Sequence, residues 1–208
     1  MPGQSPIAKA RNGPTDRVRR LRRVKIYTRR GDDGSTGLFH GGRVAKDETG
    51  PEAFGTVDEA VSALGVARAA AVGRLAEQIL EVQRELFVVA AELATAPERR
   101  GMLEAGVSLT TSSMVVSLEQ RIDEVEAERG LPSEFVVPGG SPAAAALDLA
   151  RSIARRAERR AVTHVRQSAL EDSFVVPYLN RLADYLYVLA RSAEATWIPS
   201  RTDSEEDG

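Results

Sequence analysis

The chain contains no cysteine among its 208 residues, and this absence excludes several kinds of chemistry. Without thiols there can be no disulfide bond, no cysteine-ligated zinc or iron–sulfur cluster and no thiol nucleophile. Apolar runs are also short: none approaches the ~18 residues of a membrane-spanning helix, and the N-terminal region has no apolar centre of the kind a signal peptide carries. We therefore expect a cytoplasmic protein with no membrane partner.

Aromatic residues are scarce, at 5% of the chain, and the formal net charge is only −2. A near-neutral total gives no general attraction to nucleic acid. The length fits one domain, and a folded chain of this size buries about 70% of its unfolded surface, enough for a core without covalent staples.

The charges are distributed unevenly along the chain. Residues 1–24 hold seven basic residues against one acid, and residues 200–208 hold four acids against one arginine. We interpret residues 1–23 and 198–208 as flexible, disordered tails on a single helical domain at residues 24–197. A nucleic-acid-binding arm is the alternative for the basic tail, but interleaved aromatic residues are missing, so we expect no nucleic-acid partner.

Apolar residues recur at helical spacing through most of the chain. Hydroxyl side chains at residues 110–112 and Ser141-Pro142 are typical of helix starts, and Gly73 and Gly130 of helix ends. The weak β signal at residues 24–27 is read as an extended arm docked on the helices. The sequence predicts an all-α fold, a five-helix antiparallel bundle with an extended N-terminal arm. The predicted helices cover residues 52–72, 75–96, 112–130, 143–167 and 172–196.

A glycine-rich segment follows the arm. Gly31, Gly34 and Gly37 are spaced by three, so backbone N–H groups could converge on an anion. Hydroxyl and cationic side chains that suit phosphate oxygens surround them. A plain surface loop is the alternative, because glycine, aspartate and serine are common in any turn. The surrounding donors are Thr28, Ser35, Thr36, Arg30, Arg43 and Lys46.

Five arginines lie on the fourth predicted helix. Arg151, Arg155 and Arg159 recur every four residues and form one stripe, with Arg156 and Arg160 beside it. Like charges at this spacing repel, so the stripe needs either a bound polyanion such as polyphosphate or acids from other helices. The alternative is a solvated face that pairs with acids of other helices, such as Asp58 or Asp184.

Two polar sites interrupt apolar helices. Asn180 and Asp184 lie four residues apart on the fifth helix. Asn180 is either a packing residue whose hydrogen bonds are satisfied within the protein or part of a nucleotide site. Asp58 and Glu59 lie early in the first helix, where acids also complement the helix dipole.

Taken together and in order, these segments resemble the ATP:cob(I)alamin adenosyltransferases of the propanediol-utilisation type. The resemblance covers about residues 24–195. The matching motifs are Tyr27-Thr28-x-x-Gly31-Asp32-x-Gly34-x-Thr36, Gly42-Arg43-x-x-Lys46-Asp47, Gly55-Thr56-Val57-Asp58-Glu59, Val137-Pro138-Gly139-Gly140, Ala150-Arg151, Arg155-Arg156-Ala157-Glu158-Arg159 and Tyr178-Leu179-Asn180-Arg181-Leu182-x-Asp184-Tyr185-Leu186.

The resemblance implies a homotrimeric helical bundle that binds ATP between subunits and transfers its 5′-deoxyadenosyl group to cob(I)alamin, releasing triphosphate. It implies ATP with Mg²⁺ and cob(I)alamin as substrates, no resident metal, and a cobalamin-dependent enzyme as an acceptor of the product. The implied catalytic residues are Arg155, Lys46 and Asp32. The implied ATP-binding residues are Thr28, Arg29, Arg30, Gly31, Gly34, Thr36, Lys46, Arg155, Arg156, Ala157, Glu158, Arg159 and Asn180, and the implied corrinoid-binding residues are Asp58, Phe135 and Arg151.

The resemblance also assigns roles on the corrinoid side. Asp58 and Arg151 would form a salt bridge beside the corrinoid, and Phe135 would lie against the corrin and exclude the lower axial ligand. Phe135 could instead plug the end of the bundle. Since cob(I)alamin is itself a strong nucleophile, the protein would supply positioning and leaving-group stabilisation. The alternative function is a non-catalytic regulator or carrier of the same fold that binds ATP or cobalamin.

Overall fold

The computed structural model describes residues 26–168, 170 and 172–201. Its α-helices are α1 (Thr49–Ala70), α2 (Gly73–Leu93), α3 (Ser112–Arg129), α4 (Pro142–Gln167) and α5 (Val175–Ser192), with a 3₁₀ turn at Pro97–Met102. The all-α prediction is confirmed. The basic tail at residues 1–23 and the end of the acidic tail at 202–208 lie outside the described residues. No helix in the described ranges has the length and hydropathy to cross a bilayer.

Local signals set several helix ends. Thr111 caps α3 by accepting a hydrogen bond from the Met114 N–H at 3.4 Å, and Ser141 caps α4 through the Ala144 N–H at 3.1 Å. Gly130 ends α3 at a φ of 68°, which favours glycine. Elsewhere the boundaries move: α1 begins at Thr49, three residues before the prediction, and α5 ends at Ser192, four residues before it.

The helices pack through small residues. α1 lies mainly against α4 and also against α2, while α5 packs on α4 and α3. The α1–α4 contact is rich in fully buried alanines, which let two helix backbones approach closely, and the leucines and tyrosines of α5 fill the rest of the core. The buried alanines are Ala53, Ala60 and Ala67 of α1 and Ala150, Ala154, Ala157 and Ala161 of α4.

The segment before α1 forms a small hairpin. Strands β1 (Ser35–Gly37) and β2 (Arg43–Ala45) pair antiparallel with Thr36 opposite Val44. The prediction that β signal is confined to residues 24–27 is therefore wrong. Within that stretch the described residues are Ile26 and Tyr27, and Ile26 is 95% exposed, so this part of the arm does not dock on the bundle.

Two further segments anchor to the bundle by backbone hydrogen bonds. Beyond β1, the Phe39 N–H donates to the Ala94 carbonyl at 2.8 Å, which ties the hairpin to the C-terminal end of α2. After α5, residues 197–200 run beside the loop at residues 131–140, which joins α3 to α4. Because residues 198–200 are hydrogen-bonded to this loop, the folded part of the chain extends past the predicted boundary at residue 197.

Candidate functional site

The glycine-rich segment folds into a turn that β2 closes. The Gly34 N–H donates to the Gly31 carbonyl at 3.3 Å, and the Lys46 N–H donates to the Gly34 carbonyl at 2.9 Å. Lys46 Nζ donates to the Gly31 carbonyl at 2.8 Å. A Cβ at Gly31 would lie 3.1 Å from that Nζ and 3.1 Å from the Ser35 carbonyl oxygen, so the turn has little room for a side chain there. The hairpin thus sets an ammonium group directly on the turn.

Asp33, Ser35 and Arg43 hold the turn in shape. Ser35 donates to Asp33 Oδ1 from its backbone N–H at 2.9 Å and from its hydroxyl at 2.7 Å. These hydrogen bonds, with a smaller contribution from Arg43, lower the pKa of Asp33. Arg43 Nε donates to Ser35 Oγ at 3.1 Å, and the same guanidinium contacts the Arg30 carbonyl. Arg43 is therefore a structural part of the turn.

The remaining donors of the turn face solvent. Thr28, Arg29, Arg30 and Asp32 are all exposed, and Thr36 is half-buried in β1. The Thr28 hydroxyl accepts a long 3.5 Å bond from the Arg30 N–H, and the Arg29 guanidinium lies 5.8 Å from the Tyr27 ring centroid. Gly34 adopts a φ of 82°, which favours glycine. Cationic and hydroxyl groups therefore surround an accessible turn.

The arginine stripe on α4 divides into paired and unpaired members. Arg156 pairs with Glu59, and Arg160 Nε lies 3.1 Å from Glu52 Oε1. Arg155 and Arg159 are exposed and make no ion pair with the described residues. The acids predicted as partners, Asp58 and Asp184, are the wrong ones, because helix packing presents Glu52 and Glu59 to α4 and Asp184 pairs with Arg181 at 2.6 Å.

Asn180 lies next to this stripe. Its Nδ2 donates to Glu158 Oε1 at 3.1 Å, which joins α5 to α4, and its side chain is exposed. Asn180 is therefore satisfied by a hydrogen bond, as the packing interpretation expects, but it lies at the surface and not in the core. Ala157, by contrast, is fully buried, so its position contributes close helix packing.

The corrinoid candidates occupy separate places. Asp58 lines an apolar groove of about 450 Å³ between α1 and α2, together with Phe54 and Phe87. Phe135 is 86% exposed on the 131–140 loop, which excludes the role of a plug at the end of the bundle. Arg151 Nε lies 3.7 Å from Asp148 Oδ1, so within the described chain its acid is Asp148 and the expected Asp58–Arg151 salt bridge is absent.

The two groups of ATP candidates do not meet in one chain. Across residues 26–168, 170 and 172–201, no hydrogen bond or ion pair joins the turn and hairpin to Arg155, Arg159 or Asn180. The hairpin instead contacts the C-terminal end of α2. The described part of the chain therefore presents two separate cationic surfaces.

Sequence reasoning gave no role to a cavity of about 420 Å³ that lies beneath the hairpin. His164 on α4 lines it and lies 3.2 Å from the Thr49 hydroxyl, measured from Nδ1. Burial lowers the pKa of His164, with smaller opposing effects from Leu93 and Glu48. A lone histidine on an amphipathic helix gives no sequence signal for such a contact, because the spacing of 115 residues to Thr49 is a product of tertiary packing.

Sequence reasoning also missed a buried ionic cluster formed by Asp148, Arg191 and Glu194. The sequence signal that could have indicated it is the pair Arg191 and Glu194, two opposite charges three residues apart at the end of the apolar α5. As for metals, the described part of the chain brings together no group of three or more histidine, aspartate or glutamate side chains that could hold an ion.

The chain is similar to a known protein family over most of its length. Residues 26–193 match the family model for cobalamin adenosyltransferase. The corrinoid adenosyltransferase of Bacillus subtilis (strain 168) is 41% identical over 177 residues, covering 83% of this chain and 88% of that protein. A corrinoid adenosyltransferase of Citrobacter freundii is 40% identical over 173 residues, covering 83% of this chain and 96% of that protein.

A solved structure gives the same result at the level of the fold. It is a phenylalanine-to-alanine variant of the PduO-type ATP:corrinoid adenosyltransferase from Lactobacillus reuteri, complexed with cobalamin and ATP. It superimposes with a TM-score of 0.76 at 30% identity, covering 86% of this chain and 100% of that chain. With sequence and fold in agreement, this chain belongs to the cobalamin adenosyltransferase family.

Proposed function

We propose that this chain transfers the 5′-deoxyadenosyl group of ATP to cob(I)alamin, with adenosylcobalamin and triphosphate as products. Adenosyl transfer from ATP to cobalamin is the reaction of its family, and the chain is an enzyme of that family. The observation that carries the proposal is the pair Arg155 and Arg159, exposed on α4 without an acid partner among the described residues while Arg156 and Arg160 are paired.

The bond changes need no protein nucleophile. The electron pair of Co(I) attacks the 5′ carbon of ATP, a cobalt–carbon bond forms, and the carbon–oxygen bond breaks so that its electrons leave with triphosphate. The leaving group carries about four negative charges, so cationic donors that meet it lower the barrier most. Arg155 and Lys46 are the strongest candidates, because both side chains are exposed and cationic.

We assign the triphosphate to the turn and hairpin of one copy and to α4–α5 of another. The turn supplies the Lys46 ammonium beside Gly31 together with exposed cationic and hydroxyl side chains, and α4 supplies a charged stripe whose unpaired members are exposed. Since one chain keeps these surfaces apart, a neighbouring copy in a homotrimer would complete each site. The turn side comprises Thr28, Arg29, Arg30, Gly31, Gly34, Thr36 and Lys46, and the helix side comprises Arg155, Arg156, Ala157, Glu158, Arg159 and Asn180.

Asp32 fits a role beside the metal that accompanies ATP. It is an exposed carboxylate within the turn. Mg²⁺ in nucleotide sites is commonly held by one or two carboxylates together with substrate phosphates, so a protein cage of three acids is not required. In that arrangement Mg²⁺ would supply charge neutralisation at the phosphates, and Asp32 would orient the bound nucleotide.

The corrinoid side would be formed by Phe135, Arg151 and Asp58. Phe135 offers an exposed aromatic face to a large apolar ring. The Arg151 side chain is 32% exposed, with its Nε held 3.7 Å from Asp148 Oδ1, so the exposed part of the guanidinium side chain is available to a polar group of the ligand. Location in the cytoplasm and a cobalamin-dependent acceptor enzyme stay predictions.

The test is direct. Purified chain is mixed with chemically reduced cobalamin and Mg-ATP, and absorbance is followed for the spectrum of adenosylcobalamin, with triphosphate measured in parallel. Stoichiometric formation of both products is expected. Binding of ATP and cobalamin without conversion would instead favour the non-catalytic regulator or carrier.

A further inference from the structure

Three charged side chains form a buried cluster where α4 meets the end of α5. Arg191 and Glu194 are each 1% exposed, and Asp148 is 6% exposed. Arg191 donates to Asp148 Oδ2, and its Nε lies 3.2 Å from Glu194 Oε2. None of these three residues is a candidate for binding ATP or the corrinoid. The cluster nevertheless contacts α4, which carries Arg151, and the 131–140 loop, which carries Phe135.

Asp148 connects the cluster to Arg151. One carboxylate oxygen of Asp148 receives the hydrogen bond of Arg191, and the other lies 3.7 Å from Arg151 Nε. The Arg191–Asp148 pair therefore fixes the carboxylate against which Arg151 rests, one helical turn further along α4.

Glu194 connects the cluster to the loop that carries Phe135. Glu194 Oε1 accepts a hydrogen bond from the Gly140 N–H at 3.0 Å, at the point where the 131–140 loop enters α4. A Cβ at Gly140 would lie 2.8 Å from Glu194 Oε1 and 2.9 Å from Cγ and Cδ. Close approach of the loop to Glu194 therefore requires a glycine at this position.

The segment after Glu194 holds the other end of the same loop. The Ser200 N–H donates to the Phe135 carbonyl at 2.7 Å, and the Val137 N–H donates to the Ile198 carbonyl at 2.8 Å. Trp197 Nε1 donates to the Arg191 carbonyl at 3.1 Å, so residues 197–200 are tied back to the cluster. The side chain of Phe135 is exposed, while hydrogen bonds at its own carbonyl and at the Val137 N–H fix the backbone on its C-terminal side.

Stability alone is a weak reason for this arrangement. Buried ion pairs lose their hydration, and well-packed apolar residues of similar volume often stabilise a fold at least as well. The cluster does, however, set geometry, because Arg191 Nη2 contacts both Asp148 Oδ2 and Glu194 Oε1, and Glu194 Oε1 also accepts from the Gly140 N–H. Its two outward connections end at Arg151 and at the Phe135 loop, both on the corrinoid side.

We propose that Glu194 is a positioning residue for the corrinoid site, acting through Gly140 and residues 197–200 on Phe135 and through Arg191 and Asp148 on Arg151. This inference rests on the proposed function, since it takes Phe135 and Arg151 as corrinoid contacts. Glu194 itself touches neither substrate.

Three variants of the full-length chain test this role. Glu194→Gln keeps the size of the side chain and an oxygen that can accept from the Gly140 N–H, but it removes the charge that pairs with Arg191. Gly140→Ala forces the loop away from Glu194. Ser200→Pro removes the single N–H that the Phe135 carbonyl accepts, and Ser200→Ala is its matched control, because it keeps that N–H. Each variant is measured for the apparent KM of ATP and of cob(I)alamin, for absorbance titration of cob(II)alamin in the presence of ATP, and for Tm.

The expected result separates the two substrates. Glu194→Gln and Gly140→Ala raise the apparent KM for cob(I)alamin about tenfold, and Ser200→Pro raises it about fivefold, as the loss of one hydrogen bond would. The KM for ATP stays within about twofold of wild type, and Ser200→Ala matches wild type. The affinity for cob(II)alamin measured by titration falls most in Glu194→Gln and Gly140→Ala and less in Ser200→Pro. Unchanged cobalamin parameters in folded Glu194→Gln and Ser200→Pro, or equal rises for both substrates with a fall in Tm, would overturn the proposal. Failure of the proposed function is a different result: wild type itself would then form no adenosylcobalamin.

Discussion

Lys46 Nζ donates a hydrogen bond to the Gly31 carbonyl at 2.8 Å, although the two residues are fifteen positions apart. The β1–β2 hairpin creates this contact, because it returns the chain to the glycine-rich turn immediately before Lys46. An ammonium group has three donors, so two remain for phosphate oxygens after the bond to Gly31. The hairpin thus prepares a cationic donor at the turn in advance of any ligand.

Replacing Lys46 by alanine should therefore damage the reaction more than the fold. We expect Lys46→Ala to raise the apparent KM for ATP and to lower kcat by about 10²–10³, the usual loss for one charged donor to a developing anion. Tm should change little because the side chain is exposed. Arg84→Ala, an exposed cation of α2 outside the candidate site, is the control. Wild-type turnover by Lys46→Ala would remove this residue from the site.

Arg155 and Arg160 provide a matched comparison on one helix. Both are exposed arginines of α4, but Arg160 pairs with Glu52 whereas Arg155 has no acid partner in the described part of the chain. We expect Arg155→Ala to reduce kcat by about 10²–10³ and to raise the KM for ATP. Arg160→Ala should keep activity and lose at most about 1 kcal/mol of stability, since it breaks a surface ion pair. Steady-state kinetics and thermal melts of both variants decide the assignment, and similar activity in the two would contradict it.

An ATP site shared between copies predicts complementation. Lys46→Ala and Arg155→Ala should each be inactive, but a mixed trimer would contain one site built from the intact turn of one variant and the intact α4 of the other. With random equal mixing, about three-quarters of trimers contain both variants and each has one intact site of three, so about a quarter of wild-type activity should return. Co-expression with two affinity tags yields the mixed species.

A second pair controls for incidental recovery. Lys46→Ala and Gly31→Ala both alter the turn, so their mixture should stay inactive in the trimer.

ATP should also raise Tm of the wild-type assembly, because a ligand that binds the native assembly stabilises it by mass action. A fully active monomer in sedimentation analysis, or no recovery in the first mixture, would contradict a site between copies.

The helical architecture was predictable because its signals are local. Thr111 and Ser141 cap α3 and α4 as their hydroxyls and the following residues indicated. The hairpin was missed because its strands are three residues long, and Ser35–Gly37 shows no alternation of apolar and polar side chains. Its pairing comes from the turn between the strands and from docking on α2.

The site was predictable in its residue types but not in its pairings. The spacing of the arginines on α4 follows from the sequence, whereas their partners depend on helix packing. α1 presents Glu52 and Glu59 to α4 instead of Asp58, and Asp184 of α5 pairs with Arg181. The buried contact of Arg191 with Asp148 spans 43 residues and has no local signal. Exposure of Asn180 and Phe135 was likewise a tertiary result.

His164 predicts a pH dependence of stability. Burial lowers its pKa below the ordinary value of 6.5, so the unfolded chain binds the proton more readily than the folded chain. Stability should therefore be lost as the pH falls through 6.5 toward the lower folded pKa. Thermal melts from pH 7.5 to 5.5 should show a fall in Tm of a few degrees that flattens in His164→Gln. His40→Gln, which removes the other histidine, should keep the slope, and a slope unchanged in His164→Gln would contradict this account.

Phe135 allows the corrinoid side to be separated from the nucleotide side. Its side chain is 86% exposed, so Phe135→Ala leaves no core cavity and should hardly change Tm or ATP binding. Val72→Ala is the matched control, since Val72 is also an 86% exposed apolar residue and lies outside the candidate site. The proposed role of Phe135 is to keep the lower face of the corrin dry, which favours reduction of cobalt from Co(II) to Co(I) by excluding an axial ligand.

The starting oxidation state should therefore decide how large the defect is. We expect turnover of Phe135→Ala to collapse when the reaction starts from Co(II) with a reductant, and to fall less when cobalamin is supplied as Co(I). Val72→Ala should match wild type from both starting states. Equal activity of Phe135→Ala from both states would show that the ring has no part in cobalt reduction. A large loss of Tm would show that the ring stabilises the fold despite its exposure.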